Sequence, residues 1–523
     1  MDPIVTTLVI LALAVVAFVS NRLPLGAIAI GVSLALYLTG VLDLTQALAG
    51  FGDPTVLFIA SLFVVSESLE STGIVAWAGQ QVISRAGTRR VPLLLTIGVL
   101  VALVTAVISV NGSVASLLPL VVVVAARARI TPSQMLIPLA FSAHAGSMLA
   151  LTGTPVNIIV SELAQDSGAR AFGFFEFALA GLPLLAGTLA IIVLLGAKLL
   201  PHRTPASAPV DLEQLAATLR AEYEIDPDRT LMSAGRGVTE VVVPPRSGLI
   251  GLHVFPGMCT PSGDLVVLGV RRGGDTLEPD AGAELRAGDA LLLDGTWDDL
   301  HRHTTGSDEV LVVDEPERLR RSVPLGAGAK RAAVILGLMI VLLATGIVPA
   351  AVAGMLAAIA LVLTRVVTVT RAYRAISWTT VVLVAGMIPM STAFQTTGAA
   401  AMIADTLSSW LGGAGPYAGL AVIVAITLVL GQLISNTATV LIVAPVAVAL
   451  ASAMQLSVLP FMMALTIAGA ASLFTPVATP ANLMVMEPGG YRFGDYSRLG
   501  LPLGVLYFAI AVFYVPLIWP FTR

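Results

Sequence analysis

Two polar clusters interrupt otherwise apolar stretches of this chain. The first is Ser109-Val110-Asn111-Gly112-Ser113, followed by an apolar run to Pro119. The second is Ser435-Asn436-Thr437-Ala438-Thr439, followed by an apolar run to Pro445. Hydroxyl and amide oxygens, with carbonyls freed by a break in a helix, can coordinate a hard cation such as Na+. Backbone N–H groups freed at the start of a half-helix can hold an anion. A second pair of breaks reads Thr152-Gly153-Thr154-Pro155-Val156-Asn157 and Thr475-Pro476-Val477-Ala478-Thr479-Pro480-Ala481-Asn482. Proline within a span removes a helix hydrogen bond and opens carbonyls. This chemistry is reversible binding of small ions, and no residue is singled out for covalent catalysis. One such cluster could be mere glue between helices; two clusters at matching positions argue for a site.

The positions match because the chain repeats at an offset of 325 residues. Pro24 falls on Pro349, Gly73 on Gly398, Asn111 on Asn436, Thr154-Pro155 on Thr479-Pro480 and Glu162 on Glu487. Asn111 and Asn157 are 46 residues apart, as are Asn436 and Asn482. This equality predicts that each polar tip faces its own broken helix, forming two half-sites. The first tip lacks an intact Ser-Asn-Thr. Counting back from Pro119 and Pro445 sets Val110 opposite Asn436, whereas counting from the Thr-Pro-x-Asn motif sets Asn111 there.

The elements that carry these breaks are membrane helices. The chain has 523 residues, 57% hydrophobic and only 11% charged, against roughly 25% charged in a soluble protein. Residues 201–330 hold 13 of the 28 Lys and Arg and 21 of the 32 Asp and Glu, so soluble sequence lies between two membrane regions, 1–200 and 331–523. A net charge of −4 gives no sign of nucleic-acid binding, and the single cysteine, Cys259, excludes an internal disulfide. At about 20 apolar residues per crossing, candidate spans are 4–20, 25–43, 54–72, 92–126, 134–160 and 176–200, then 332–347, 349–369, 378–396, 417–454, 460–485 and 500–520. The first run reads as a retained helix, since it lacks a basic leader.

Positive charge favours the cytoplasmic side. With the N-terminus outside and the long runs 92–126 and 417–454 taken as re-entrant hairpins, Arg22, Arg85, Arg89, Arg90, Arg127, Arg129 and Arg203 fall inside. So do Lys330, Arg331, Arg365, Arg371, Arg374, Arg492 and Arg498; only Arg170 and Arg523 fall outside. Five crossings and a hairpin per copy make the repeats inverted. The expected fold is a polytopic α-helical membrane protein of two such repeats, with a small α+β cytoplasmic insert and both termini outside. Inverted repeats around polar breaks imply a secondary transporter with alternating access. Among ionisable residues in the spans, Glu67 and Glu70 lie late in the third span, and His144 precedes the Thr152–Asn157 break, either as a packed neutral ring or as a proton carrier.

Within the insert, Asp211–Glu224 reads as a helix and Thr239–Val243 as a strand. Pro244–Gly251 reads as a loop, Leu265–Arg271 as a strand, Gly273-Gly274-Asp275 as a turn and Ala290–Leu293 as a strand entered from Gly288-Asp289.

The Ser-Asn-Thr tip, the Gly-Thr and Thr-Pro-x-Asn breaks and Pro488-Gly489-Gly490-Tyr491-Arg492-Phe493-Gly494-Asp495-Tyr496 resemble the divalent anion/sodium symporters, the solute carrier 13 type of permease. Phe51-Gly52-Asp53-Pro54 and Ala385-Gly386-Met387-Ile388-Pro389 are similar too, so the likeness spans both membrane halves. It implies Na+ at Ser109, Asn111 and Gly153, and at Ser435, Asn436, Thr437 and Ala478. It implies a small anionic substrate, dicarboxylate or sulfate, near Asn111, Ser113, Thr154, Asn436, Thr437 and Thr479. It also implies a homodimer with elevator-like motion in a bacterial inner membrane. A Na+/H+ antiporter or metalloid exporter of the same superfamily is the alternative. An insert-gated cation channel is disfavoured because no Thr-Val-Gly-Tyr-Gly filter occurs. Residues 232–313, with Ser-Gly-Leu-Ile-Gly, Val-Arg-Arg-Gly-Gly and Gly-Asp before a hydrophobic strand, resemble the regulator-of-conductance C-terminal (TrkA-C) domain. That likeness implies a dimerising module, with or without a bound nucleotide or cyclic dinucleotide; no phosphate-binding glycine loop is evident.

Overall fold

A computed structural model of the chain describes residues 2–20, 22–83, 87, 89–203, 212–223, 225–226, 231–232, 236–273, 275–277, 282–304, 309–313, 328–411 and 415–522. Arg85, Asp211, Glu224, Gly274 and Arg523 lie outside the described residues. The chain divides into two compact units, one of residues 1–68, 82–207 and 333–523, the other of residues 69–81 and 208–332.

The first unit is helical. Its first copy holds α1 (Pro3–Ser20), α2 (Leu25–Leu38), α3 (Leu44–Leu48), most of α4 (Pro54–Ser71), α6 (Arg90–Thr105), α7 (Val110–Arg127), α8 (Leu136–Gly146), α9 (Pro155–Asp166) and α10 (Ala178–Leu199), while most of α5 (Ile74–Ile83) falls in the second unit. In the second unit α11 (Leu212–Glu222) and α12 (Trp297–Thr304) accompany the strands. The second copy holds α13 (Ala329–Thr345), α14 (Ala350–Leu363), α15 (Val369–Ala375), α16 (Trp378–Thr397), α17 (Ala399–Leu411), α18 (Pro416–Leu430), α19 (Asn436–Ala453), α20 (Val458–Ala470), α21 (Pro480–Met486) and α22 (Phe493–Ala509). Among the described residues, seven helical stretches are long and apolar enough to cross a membrane.

The repeat is visible in the elements themselves. Shifted by 325, α2 lands on α14 residue for residue, and Pro24 and Pro349 both precede the first turn. Proline there costs little, because a first-turn N–H has no partner inside the helix. The short 3-10 turns Leu151–Gly153 and Pro476–Ala478 coincide in the same way. Each long apolar run is divided by its polar cluster, giving α6 and α7 in one copy and α18 and α19 in the other.

The insert folds as an antiparallel sheet of β1 (Arg236–Val242), β3 (Leu265–Arg272), β4 (Asp275–Thr276), β6 (Ala290–Thr296) and β7 (Leu311–Val312), ordered β4-β3-β6-β1-β7. A second pair joins β2 (His253–Val254) to β5 (Ala283–Glu284). Alternation puts Leu291 and Leu293 on one face with Trp297 and Leu300 of α12, and Leu292 on the other with Ala216 and Leu219 of α11. A bulge between Val267 and Gly269 shifts the register of β3 on β6. Two motifs of the insert meet: Arg272 of Val-Arg-Arg-Gly-Gly reaches both carboxylate oxygens of Asp289 of Gly-Asp, at 2.8 and 2.7 Å, and the Arg286 N–H donates to Asp289 at 2.7 Å.

Candidate functional site

The tips are capped helix starts. Ser109 Oγ accepts from the Gly112 N–H at 3.2 Å, and Ser435 Oγ from the Ala438 N–H at 3.3 Å. The capping serines are therefore equivalent at an offset of 326. Val110, not Asn111, stands opposite Asn436, and Asn111 stands opposite Thr437. The matching 46-residue spacings therefore join positions that are not structurally equivalent in the tips, because one residue separates tip and break registers between copies.

The breaks are held open by asparagines. Asn157 Nδ2 donates to the carbonyls of Ser147 and Ala150, at 2.9 and 2.8 Å. Asn482 Nδ2 donates to those of Ser472 and Thr475, at 2.8 and 3.0 Å. Both asparagines are fully buried, where an unpaired carbonyl would cost dearly. Thr154 caps α9 by accepting from the Val156 N–H, and Thr479 caps α21 by accepting from the Asn482 N–H. Pro155 and Pro480 occupy the following helix position, which asks for no N–H partner. At Gly153 an added Cβ would stand 2.2 Å from the Ser147 carbonyl oxygen, so the chain can double back there only without a side chain.

Each tip meets the break of its own copy. Thr152 Oγ1 donates to the Ala106 carbonyl at 2.8 Å. Ser472 Oγ donates to Asn436 Oδ1 at 2.7 Å, and Gln432 clamps the same region by donating to the Ala471 carbonyl and accepting from the Phe474 N–H. In the first copy a small cleft opens between Ser109 of the tip, Thr152 and Gly153 of the break, and Phe63 and Ser66 of α4. Ile59, Leu62, Phe63, Val107 and Pro155 make most of its lining apolar, and Ser66, Ser109 and Thr152 are its hydroxyl-bearing residues. Among the described residues no group of three His, Cys, Asp or Glu could hold a metal.

The copies also touch each other. Asn111 Oδ1 accepts from the Ala481 N–H at 3.1 Å, so this candidate ligand of the first tip reaches the second break. Ser113 is fully buried in the first turn of α7, and its hydroxyl has no partner among the described residues. Ser435, Asn436 and Thr437 are half-buried at the second tip, and Ala478 is buried in the facing break. Of the acidic residues in the spans, Glu67 pairs with Arg371 at 2.9 Å. Gln432 and Ser472 escape a reading of the sequence, where each is one polar residue in an apolar run.

Farther along, the Pro488–Tyr496 motif forms a clamp. Tyr491 OH donates to the Ser133 carbonyl and accepts from the Ile137 N–H, at 2.6 and 2.9 Å. Arg203 donates to the Gly490 carbonyl and to Asp495 Oδ2, at 2.9 and 2.7 Å.

A family model described as "Citrate transporter" matches residues 15–468. "Uncharacterized transporter YfbS" of Escherichia coli is 29% identical over 99% of both chains. "Sodium/sulfate cotransporter 1" of Chlamydomonas reinhardtii is 29% identical over 44% of this chain and 26% of its own length. The crystal structure of the Alcanivorax borkumensis YdaH transporter covers 100% of both chains with a TM-score of 0.52 at 14% identity, a likeness of fold.

Proposed function

The chain belongs to the citrate transporter family, a family of transporters and not of enzymes, and on that premise we propose that it is a Na+-coupled symporter of a small divalent oxyanion. The observation that carries this reading is the pairing of each serine-capped tip with the broken helix of its own copy. Side-chain and carbonyl oxygens at Ser109, Asn111 and Gly153, and at Ser435, Asn436, Thr437 and Ala478, supply the donors Na+ requires. The capped N-termini of α7 and α19 supply positive potential for an anion, with Asn111, Ser113, Thr154, Asn436, Thr437 and Thr479 as its contacts. Sulfate is favoured over a dicarboxylate by the sodium/sulfate cotransporters among the relatives.

Two copies of one unit, inverted by the arginine pattern, would exchange the exposure of this site between faces. The protein would work as an elevator-like homodimer in a bacterial inner membrane, with both termini outside. The insert, resembling a TrkA-C domain, would be cytoplasmic, a dimerising module with or without a nucleotide or cyclic dinucleotide. A thermal-shift panel of sulfate, succinate, citrate and phosphate, each with Na+ or choline, tests the reading. Stabilisation by sulfate only when Na+ is present supports it. Stabilisation by none of the four anions in Na+ removes it and favours an antiporter or metalloid exporter.

A further inference from the structure

His144 closes the last turn of α8 and is 1% exposed. Its Nε2 lies 3.2 Å from Asn482 Oδ1 and 3.3 Å from Thr479 Oγ1, both in the other copy. The orientation of the Asn482 amide follows from its own bonds. Nδ2 donates to two carbonyls, so Oδ1 faces the ring, and because Oδ1 can only accept, the shared hydrogen sits on Nε2. Thr479 caps α21 and Asn482 holds the break open, so one imidazole grips both residues that shape the second break. Asn111 reaches the same segment from the same copy.

The opposite side has neither grip. The residue 325 positions after His144 is Gly469, where a Cβ would stand 2.8 Å from Val440 Cγ2 and 3.5 Å from Val156 Cγ1. A histidine does not fit there without displacing these valines. Asn157 makes the same two carbonyl bonds as Asn482, yet its Oδ1 has no partner among the described residues. Thr437 occupies the place equivalent to Asn111.

We infer that His144 is a positioning residue that ties the second broken helix to the first repeat, so the two half-sites are mechanically unequal. The second break is the fixed one, held in register with the first tip. The first break packs against α19 and α20 of the second copy but lacks the corresponding hydrogen-bond tie among the described residues. The consequence for ion affinity rests on the proposed transport reading; the tie itself does not.

The test compares wild type, His144→Phe and His144→Gln as full-length protein in nanodiscs and proteoliposomes. Phe keeps a ring without the donor, while the Gln amide can donate to the same oxygens. Loss of the tie is expected to speed hydrogen exchange over residues 475–487 by about tenfold, the worth of one hydrogen bond. Residues 150–162 should be unchanged, and Gln should restore protection. In proteoliposomes the Phe variant should also need about tenfold more Na+ for half-maximal sulfate uptake, with Gln again restoring the wild-type value. Unchanged exchange, acceleration shared equally by both breaks, or no recovery with Gln overturns the tie. If wild type moves no sulfate with Na+, the transport reading fails and the exchange result still decides the tie. Should the Phe variant not fold, the exchange pattern of the Gln variant decides: it must match wild type over 475–487, and acceleration there overturns the assignment.

Discussion

Asn157→Ala and Asn482→Ala form a matched pair. Both residues are fully buried, occupy the same place in the repeat and lose the same atoms, so cavity and helix-propensity costs largely cancel. Each substitution strands two carbonyls, at about 1–3 kcal/mol per orphaned group in soluble proteins and nearer about 0.6 kcal/mol for an average polar pair in a membrane protein. The difference comes from Oδ1. In Asn482 it accepts from His144, and losing that bond adds about 0.5–1.5 kcal/mol. In Asn157 it has no partner among the described residues, so removing it relieves a buried acceptor. Asn482→Ala should therefore be the more destabilising by about 1–2 kcal/mol, read as the free energy of reversible unfolding in mixed micelles. A double-mutant cycle with His144→Phe should give a coupling of about 0.5–1.5 kcal/mol for Asn482 and near zero for Asn157. An equal or larger loss in Asn157→Ala refutes the reasoning.

Further outcomes are expected elsewhere. Asn436→Ala, which removes the acceptor of the Ser472 hydroxyl, should abolish Na+-dependent uptake while the protein still elutes as a folded species; unchanged uptake removes the second ion site. Gly153→Ala forces a Cβ against the Ser147 carbonyl and should cost about 1–3 kcal/mol with loss of transport, whereas Ala478→Gly at the matching position should retain folding. In the insert, burial raises the Asp289 carboxyl, but Arg272 and the Arg286 N–H outweigh it and hold it below its ordinary value. The folded form therefore prefers the ionised acid. The contribution of the pair is whole above the ordinary range near pH ~4 and is lost as pH falls through the lowered value. Asp289→Asn should speed exchange in β3 and β6 at pH 7 and flatten its acid dependence, after correction for intrinsic rates.

The spans, the tips and the strands of the insert are legible in the sequence because local physics dictates them. Twenty apolar residues demand a membrane, a serine before small residues caps a helix, and alternating valines and leucines make a half-buried strand. What escaped needs coordinates. The one-residue slip that sets Val110 against Asn436 is decided by which serine caps each helix. The partners of His144 lie 338 and 335 residues away, and no periodicity marks such a contact. Asn157 and Asn482 are repeat-related in the sequence, but their task of closing carbonyls follows only from the path of the backbone. The sequence likewise places Arg272 and Asp289 in separate motifs, and the sheet joins them.

The proposed symport requires the paired tips and breaks to bind Na+ and an oxyanion together. Uptake of radiolabelled sulfate into proteoliposomes tests it most directly, with an imposed Na+ gradient, an imposed pH gradient or neither, in wild type and Asn436→Ala. Accumulation driven by Na+ alone and lost in the variant is the expected result. Accumulation that follows the pH gradient and ignores Na+, or that survives in Asn436→Ala, contradicts it.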